Sequence, residues 1–442
     1  MQTFREKVPQ SSDPMNKQVS VAPSARRLTT SLRDIGYSFE SAVADIVDNS
    51  IAAGANNVDI QIVFDGLGST VTIIDNGHGM DATGIDEAMR FGSRRSYEDQ
   101  ELGRYGLGLK TASLSQCRRV EVVSKTTHGP VQARVLDLDF IRDVDDWVTL
   151  DYSTDDDIND RAQLLADKTG TIVTWEKLDR LLPAKSPEGG WARRRIQGLG
   201  PKLSSYLSMV FHRFLSGEAA QHVSITVNGQ QIAPWDPFAR DEKNTEFLGT
   251  DEFEIEHGDY AGTVTVNRFL LPPRTRFSSR EAFDAASGID KWNKQQGLYI
   301  YRADRLVQWG GWSGIRTIDE HTKLARASVD FGTSLDDAFN INVAKMRVNL
   351  PSQLRKMLAR PVNELCIAAD AAYRRENSLK HETDTTEKLT DIKDFGGAES
   401  GEAIGLALRT AAARTGNFEA LSAISKLLKQ EMPTLAKHLG FD

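Results

Sequence analysis

ADIVDNSIAAGA at residues 44–55, IIDNGHGM at 73–80 and GRYGLGLKTAS at 103–113 carry most of what this chain reveals about itself. Around the first cluster, Phe39, Ala42, Val43, Ile46, Val47 and Ile51 recur at helical spacing, which predicts an amphipathic helix over about 38–53 with one buried face. Asp45, Asp48 and Asn49 then stand at i, i+3 and i+4 and share a face. A carboxylate and an amide oxygen one turn apart can orient a water and ligate Mg²⁺, a hard ion that takes oxygen donors and keeps several waters. In isolation the same pattern also suits a solvated acidic face.

In the second cluster a β-branched run, Val71 to Ile74, ends in Asp75 and passes into the tight turn Asn76-Gly77-His78-Gly79-Met80. An aspartate at a strand end can accept a hydrogen bond from an exocyclic amine. Gly77 and Gly79 remove side chains where a flat ring must approach the backbone, and Met80 can pack on that ring. In the third cluster Gly103, Gly106 and Gly108 lead into a helix-compatible run from Leu109 to Gln116. Backbone N–H groups at a glycine-rich helix start form an anion site, so phosphates are the expected guest. The pattern is not GxxxxGK[ST], and Lys110, two residues beyond the last glycine, does not occupy the lysine position of that motif.

The three clusters in this order resemble the GHKL ATPases, which include DNA gyrase, the ninety-kilodalton heat-shock chaperones, histidine kinases and MutL. The resemblance implies an α/β fold: a Bergerat-fold α/β sandwich binding ATP, then a ribosomal-S5-like α/β transducer and a short helical tail. It implies Asp45 as general base, Asn49 as ligand of Mg²⁺, and Asp75 on adenine beside Gly77, Gly79 and Met80. Gly103, Gly106 and Gly108 would close over the phosphates, with Leu107 and Lys110 counted among the nucleotide contacts. Two positions depart from the pattern: the base is usually Glu where this chain has Asp45, and Ala52 stands where MutL-like proteins commonly have Asp.

Composition bounds the rest. A chain of 442 residues exceeds one typical domain, and its formal charge of −8 argues against a surface coated for nonspecific nucleic-acid binding while leaving room for local basic patches. Cys117 and Cys366 alone suggest neither a disulfide framework nor a cysteine metal site. No apolar run is long enough to span a bilayer and the polar N-terminus lacks a secretory core, so a cytoplasmic protein is expected.

Along the chain, residues 1–22 read as a flexible arm, which in several GHKL dimers crosses to the partner; disorder at a chain end is the bland alternative. Residues 23–190 would form the ATP-binding domain, with strands over Val58 to Phe64 and Ser69 to Ile74 forming a hairpin around Asp65-Gly66. FGSRRSYEDQEL at 91–102 is charged enough to be a lid, and Arg94 lies where MutL-like proteins carry a Ser-Lys segment near the phosphates. Gly170-Thr171 opens a strand resembling the family's last ATP-site element, with the Thr171 hydroxyl under the base or phosphates.

From Trp191 the character changes, and 191–377 resembles the transducer of MutL and of the MORC ATPases. Within INVAKMRV at 341–348, Lys345 matches the lysine that reaches the γ-phosphate from that domain, though one residue is missing relative to the MutL spacing. A charged stretch at 378–400 reads as a linker and 401–442 as a helical tail. The resemblance falls nearest the bacterial MutL- and MORC-like ATPases found beside restriction and anti-phage genes. It implies an ATP-gated homodimeric clamp acting on DNA with protein partners such as nuclease or helicase components. A chaperone-like clamp on protein clients, or a nucleotide-gated interaction module with little turnover, are the alternatives.

Overall fold

The computed structural model describes residues 23–34, 36–91, 108–154, 161–165, 168–183, 185–257, 260–341, 348–393 and 401–441. The expected arm, residues 92–102 of the expected lid with Arg94, then Gly103, Gly106, Leu107 and Lys345 lie outside them. The described residues fall into two compact units, one ending at Ala371 and one beginning at Ala372.

The first unit opens with α1 (Ala25–Leu32) and α2 (Phe39–Ala52), followed by the antiparallel pair β1 (Asn57–Val63) and β2 (Thr70–Asp75). Next come α3 (Ala82–Met89), α4 (Gly108–Gln116), β3 (Arg119–Lys125), β4 (Gln132–Asp137), α5 (Leu138–Val144), β5 (Leu150–Asp151) and β6 (Gly170–Glu176). Three helices, α6 (Gly190–Gln197), α7 (Leu199–Val210) and α8 (His212–Ser216), precede β7 (Ser224–Val227) and β8 (Gln230–Gln231). These strands form one eight-stranded sheet in the order β5-β4-β3-β6-β2-β1-β7-β8, antiparallel except where β7 runs parallel to β1.

The expected domain boundary at residue 190 falls inside this layer. Ala192, Ile196, Leu203, Leu207 and Ile225 share one apolar core with Val43, Val47, Ile73 and Trp175. The Arg193–Arg195 run that suggested a change of domain is the exposed face of α6, whose Ala192 and Ile196 point inward. A second sheet, order β12-β11-β13-β10-β9, begins with β9 (Glu246–His257), a strand the sequence reading did not identify, and β10 (Tyr260–Leu270). After α9 (Arg280–Ala286) and α10 (Lys291–Gln295) it is completed by β11 (Gly297–Arg302), β12 (Arg305–Trp309) and β13 (Ala325–Phe331). The architecture is mixed α/β: a large, mainly antiparallel sheet with its helices, then a further α/β layer.

Helix α11 runs from Ser352 to Lys393 through Pro361, so residues 378–393 continue a helix where a linker was expected. Charged and polar residues are compatible with a helix, and the Gly396-Gly397 break comes only later. In the second unit α12 (Gly401–Arg414), α13 (Phe418–Glu431) and α14 (Pro433–His438) form the helical tail.

His212 on α8 lies at the meeting of the two layers, its Nε2 2.8 Å from the Tyr301 hydroxyl. Burial, reinforced by Arg213 and opposed by Asp236 and Glu218, pushes its pKa down from 6.5 to about 4. The unfolded chain therefore binds the extra proton first, and the stability held by neutral His212 is present above pH 6.5 and lost as the pH falls toward 4. The expected loss across that window is about 3 kcal/mol. Urea melts between pH 7 and pH 4 check it: His212→Gln, which keeps a neutral partner for Tyr301, is expected to flatten this part of the profile.

Candidate nucleotide site

Helix α2 is the element on which the site is built. Ser38 caps it by accepting from the Ser41 N–H at 3.1 Å, and the helix is buried nearly all round rather than on the single face expected. The sheet covers one side while α4 and α7 cover others. Asn49 is the exposed member of the trio; Asp45 and Asp48 are buried.

At one end of α2 the strand alternation of β2 places Asp75 in the inward row with Val71 and Ile73. Asp75 Oδ1 accepts from the N–H of Gly77 at 2.9 Å and of Thr171 at 3.2 Å, and Oδ2 accepts from Ser50 Oγ at 2.9 Å. Burial raises its pKa, opposed by the donors from Gly77, Ser50 and Thr171. Oδ2 retains capacity for a further donor such as a ring amine. The glycine positions are sterically enforced. Gly79 has φ +69° and a Cβ there would overlap the Lys125 carbonyl, while a Cβ on Gly77 would come within 2.8 Å of Ala53 Cβ.

The Met80 N–H donates to Ser124 Oγ at 2.8 Å, and that hydroxyl lies 2.9 Å from Thr171 Oγ1. Thr171 is thus brought beside Asp75. Ser50 and Ser124 were missed. Ser50 follows Asn49 directly and carried a readable signal one turn from Ile46; Ser124 reaches the site only because β3 pairs with β6 in a register that sets it opposite Thr171.

At the other end, Asp45 Oδ2 accepts from the Tyr37 hydroxyl at 2.8 Å. Burial and the neighbouring Asp45 hold the Tyr37 phenol well above its ordinary pKa, so it stays a donor. A Cβ built on Gly108, the first residue of α4, would stand 3.7 Å from the same Oδ2, which sets the carboxylate beside the exit of the glycine-rich segment.

Asp48 is not available to share water or metal with Asn49 as one face of a helix suggested. Its Oδ1 accepts from Arg305 Nε at 2.8 Å, and Arg305 Nη2 lies 3.6 Å from Asp45 Oδ1. Burial opposes the charge on Arg305, but Asp48 and Asp45 hold its pKa above the ordinary value. Lys110, expected among the nucleotide contacts, gives its ammonium to the carbonyls of Ala88 at 2.8 Å and Arg90 at 2.6 Å and closes the C-terminal end of α3. Burial, opposed by Glu87, pushes its pKa down to about 8.

Among the described residues no group of three or more His, Cys, Asp or Glu is arranged to hold a metal. The exposed amide of Asn49 fits a single protein ligand to Mg²⁺, an ion that takes its other ligands from phosphates and water.

Residues 37–171 match the family model of histidine kinase-, DNA gyrase B- and HSP90-like ATPases. The chain is similar to the DNA mismatch repair protein MutL of Acidiphilium cryptum (strain JF-5), 24% identical over 256 residues, 56% of this chain and 39% of that one. It is 34% identical over 95 residues to the MutL of Pediococcus pentosaceus, covering 20% of this chain and 15% of the relative. It is 35% identical over 79 residues to the ATPase MORC2B of Mus musculus, covering 16% and 8%. The chain therefore spans well under half the length of these relatives. The matched segment begins at Tyr37 and ends at Thr171, the two side chains that bracket the carboxylates just described, and on these grounds residues 37–171 form an ATPase domain of the GHKL type, in a chain similar to MutL and to a MORC ATPase.

Proposed function

We propose that this protein binds ATP with Mg²⁺ and hydrolyses it to ADP and phosphate as the timing step of a conformational switch. The observation that carries the proposal is the pairing of two buried carboxylates on and beside α2. Asp75 lies beside the tight turn of Gly77 and Gly79; Asp45 lies beside the first residue of α4. In this reading Asp75 accepts from the exocyclic amine of adenine and Thr171 and Met80 flank the base. Asp45 removes the proton from the attacking water. Asn49 holds Mg²⁺, which offsets phosphate charge when bound. Gly103, Gly106 and Gly108 cover the phosphates with Leu107 and Arg94, and Lys345 serves the γ-phosphate. Phosphate release measured with saturating MgATP tests the reading: turnover is expected, and its absence would contradict it.

The task to which turnover is coupled is, in this proposal, the ATP-gated joining of two copies into a clamp that acts on DNA with partner proteins in restriction or anti-phage defence. MutL relatives carry DNA mismatch repair in their name. A specific feature of this chain also favours DNA. A cleft of about 680 Å³ is lined by Arg33, Arg180, Arg194, Arg195 and Lys202, with Asp34 as its acidic member. Arg33 is spent on Asp179 and Arg180 on Asp34, which leaves Arg194 and Lys202 to face a phosphate backbone, with Arg195 beside them giving one N–H to the Arg180 carbonyl and lying over the Trp191 ring.

Arg194→Glu with Arg195→Glu is expected to weaken duplex binding and reduce the slope of log affinity against log salt by about 2. An unchanged slope removes this cleft from the DNA surface. Turnover stimulated by an unfolded protein client and not by duplex would favour the chaperone-like clamp instead.

A further inference from the structure

The second layer reaches the proposed catalytic carboxylate through one buried cation. Arg305, the first residue of β12, has a side chain 2% exposed, donates from Nε to Asp48 Oδ1 at 2.8 Å and places Nη2 3.6 Å from Asp45 Oδ1. Its guanidinium lies over the Phe211 ring, 5.8 Å from the centroid, so apolar surface closes the site on that side. The partners come from far apart in sequence, 257 residues for Asp48, Arg305 from the second sheet and the aspartates from helix α2.

The hairpin that delivers Arg305 is built for aim. Ala303 and Asp304 occupy its turn with φ +45° and +64°, a conformation glycine and asparagine adopt more easily. Three pairs fix the hairpin on either side of that turn. Arg302 forks onto Asp336 at 2.6 and 2.7 Å, Asp304 accepts from Arg213 at 3.1 Å, and Arg305 spans the two aspartates of α2. Arg302 and Arg305 face each other across the turn, so one small hairpin ties its own layer with one arginine and α2 with the other.

We propose that Arg305 is a positioning residue for hydrolysis: from the second layer it holds Asp45 in the orientation in which the carboxylate meets the attacking water. Two carboxylates one turn apart in a dry site repel each other, and a guanidinium between them fixes both. Tyr37 holds Oδ2 of Asp45 by a hydrogen bond and the Arg305 charge draws Oδ1 across 3.6 Å as an ion pair, so the two together bias the plane of the carboxylate. Any shift of the β11–β12 hairpin withdraws the cation from the base, which makes turnover sensitive to the second layer. This inference rests on the ATPase reading above and adds to it the source of its coupling.

The test is turnover and nucleotide affinity of the full chain carrying Arg305→Met, Arg305→Lys, or Arg305→Met with Asp48→Asn, beside Asp45→Asn and the unaltered protein. A misplaced base costs on the order of 100-fold in rate, so Arg305→Met is expected to lose about that much kcat with ATP affinity within about threefold. Lysine keeps a charge but not the planar fork, and Arg305→Lys is expected to recover to within about tenfold of the unaltered rate. Arg305→Met leaves Asp48 buried without its cation, and the double variant removes that penalty. If it melts as the unaltered protein does and still loses about 100-fold in kcat, folding damage is not the cause and the role stands. Turnover in the double variant within about threefold of the unaltered protein, or affinity lost in step with rate, overturns it. In that case an inactive Asp45→Asn leaves the ATPase reading intact; no turnover by the unaltered chain overturns both.

Discussion

Asp45→Asn is expected to lower single-turnover ATP hydrolysis by about 100-fold or more while leaving ATP affinity within a few-fold, because a general base typically contributes 10² to 10⁴ in rate and little to ground-state binding. The geometry singles out Asp45 over Asp48. Both are buried acids on α2, but Asp48 Oδ1 takes the 2.8 Å hydrogen bond from Arg305, whereas Asp45 Oδ2 turns toward Tyr37 and the start of α4. Asp48→Asn is therefore expected to retain turnover within about tenfold, since the amide oxygen still accepts from Arg305. The aspartate also bears on absolute rate. It is shorter than the usual glutamate by about 1.5 Å, and slow turnover is the expected consequence unless α2 sits correspondingly nearer the nucleotide. An Asp45→Asn protein that hydrolyses ATP at the unaltered rate would remove this residue from the mechanism.

Asp75→Asn is expected to cost ATP affinity about 30-fold or more, the effect of turning a charge-assisted acceptor into a donor facing a donor. The variant is chosen because the surroundings can accept it. Its carbonyl oxygen can take over the hydrogen bonds from Gly77 and Thr171, and its amide can donate to Ser50 Oγ. Ser50 is already 3.3 Å from the Ile46 carbonyl and can direct its proton there. Fold is thereby separated from recognition. Calorimetric titration with ATP, repeated with a purine that carries a carbonyl in place of the amine, checks the assignment. Loss of ATP binding with the carbonyl purine unaffected or improved fits Asp75 as the adenine acceptor, and unchanged ATP affinity contradicts it.

The residues legible in the sequence were those whose role is local. Helix α2 announced itself by apolar spacing, β1 and β2 by alternation around Asp65-Gly66, and Gly77 and Gly79 by a turn that tolerates no Cβ. Roles set by distant partners were not legible. Asp45 and Asp48 share a helical face in any reading, but only the arrival of Arg305 from the second sheet divides them into one acid hydrogen-bonded to its Nε and one that meets its Nη2 at 3.6 Å while turning toward α4. Lys110 was counted among the nucleotide contacts by the family resemblance, and the carbonyls it serves become visible only when α3 and α4 are placed side by side. The reading set the domain boundary at the basic run before Ile196, whereas that run is the wet side of a helix whose other side is core.

Hydrogen–deuterium exchange of the full chain with and without MgATP tests most directly the claim that the nucleotide sits between Asp75 and Asp45. Slowed exchange is expected in peptides covering Asp75 to Met80, Gly108 to Gln116 and Gly170 to Thr171, with no comparable change along α6. Unchanged exchange in these peptides at saturating MgATP, or protection confined to the Arg194 cleft, would contradict it.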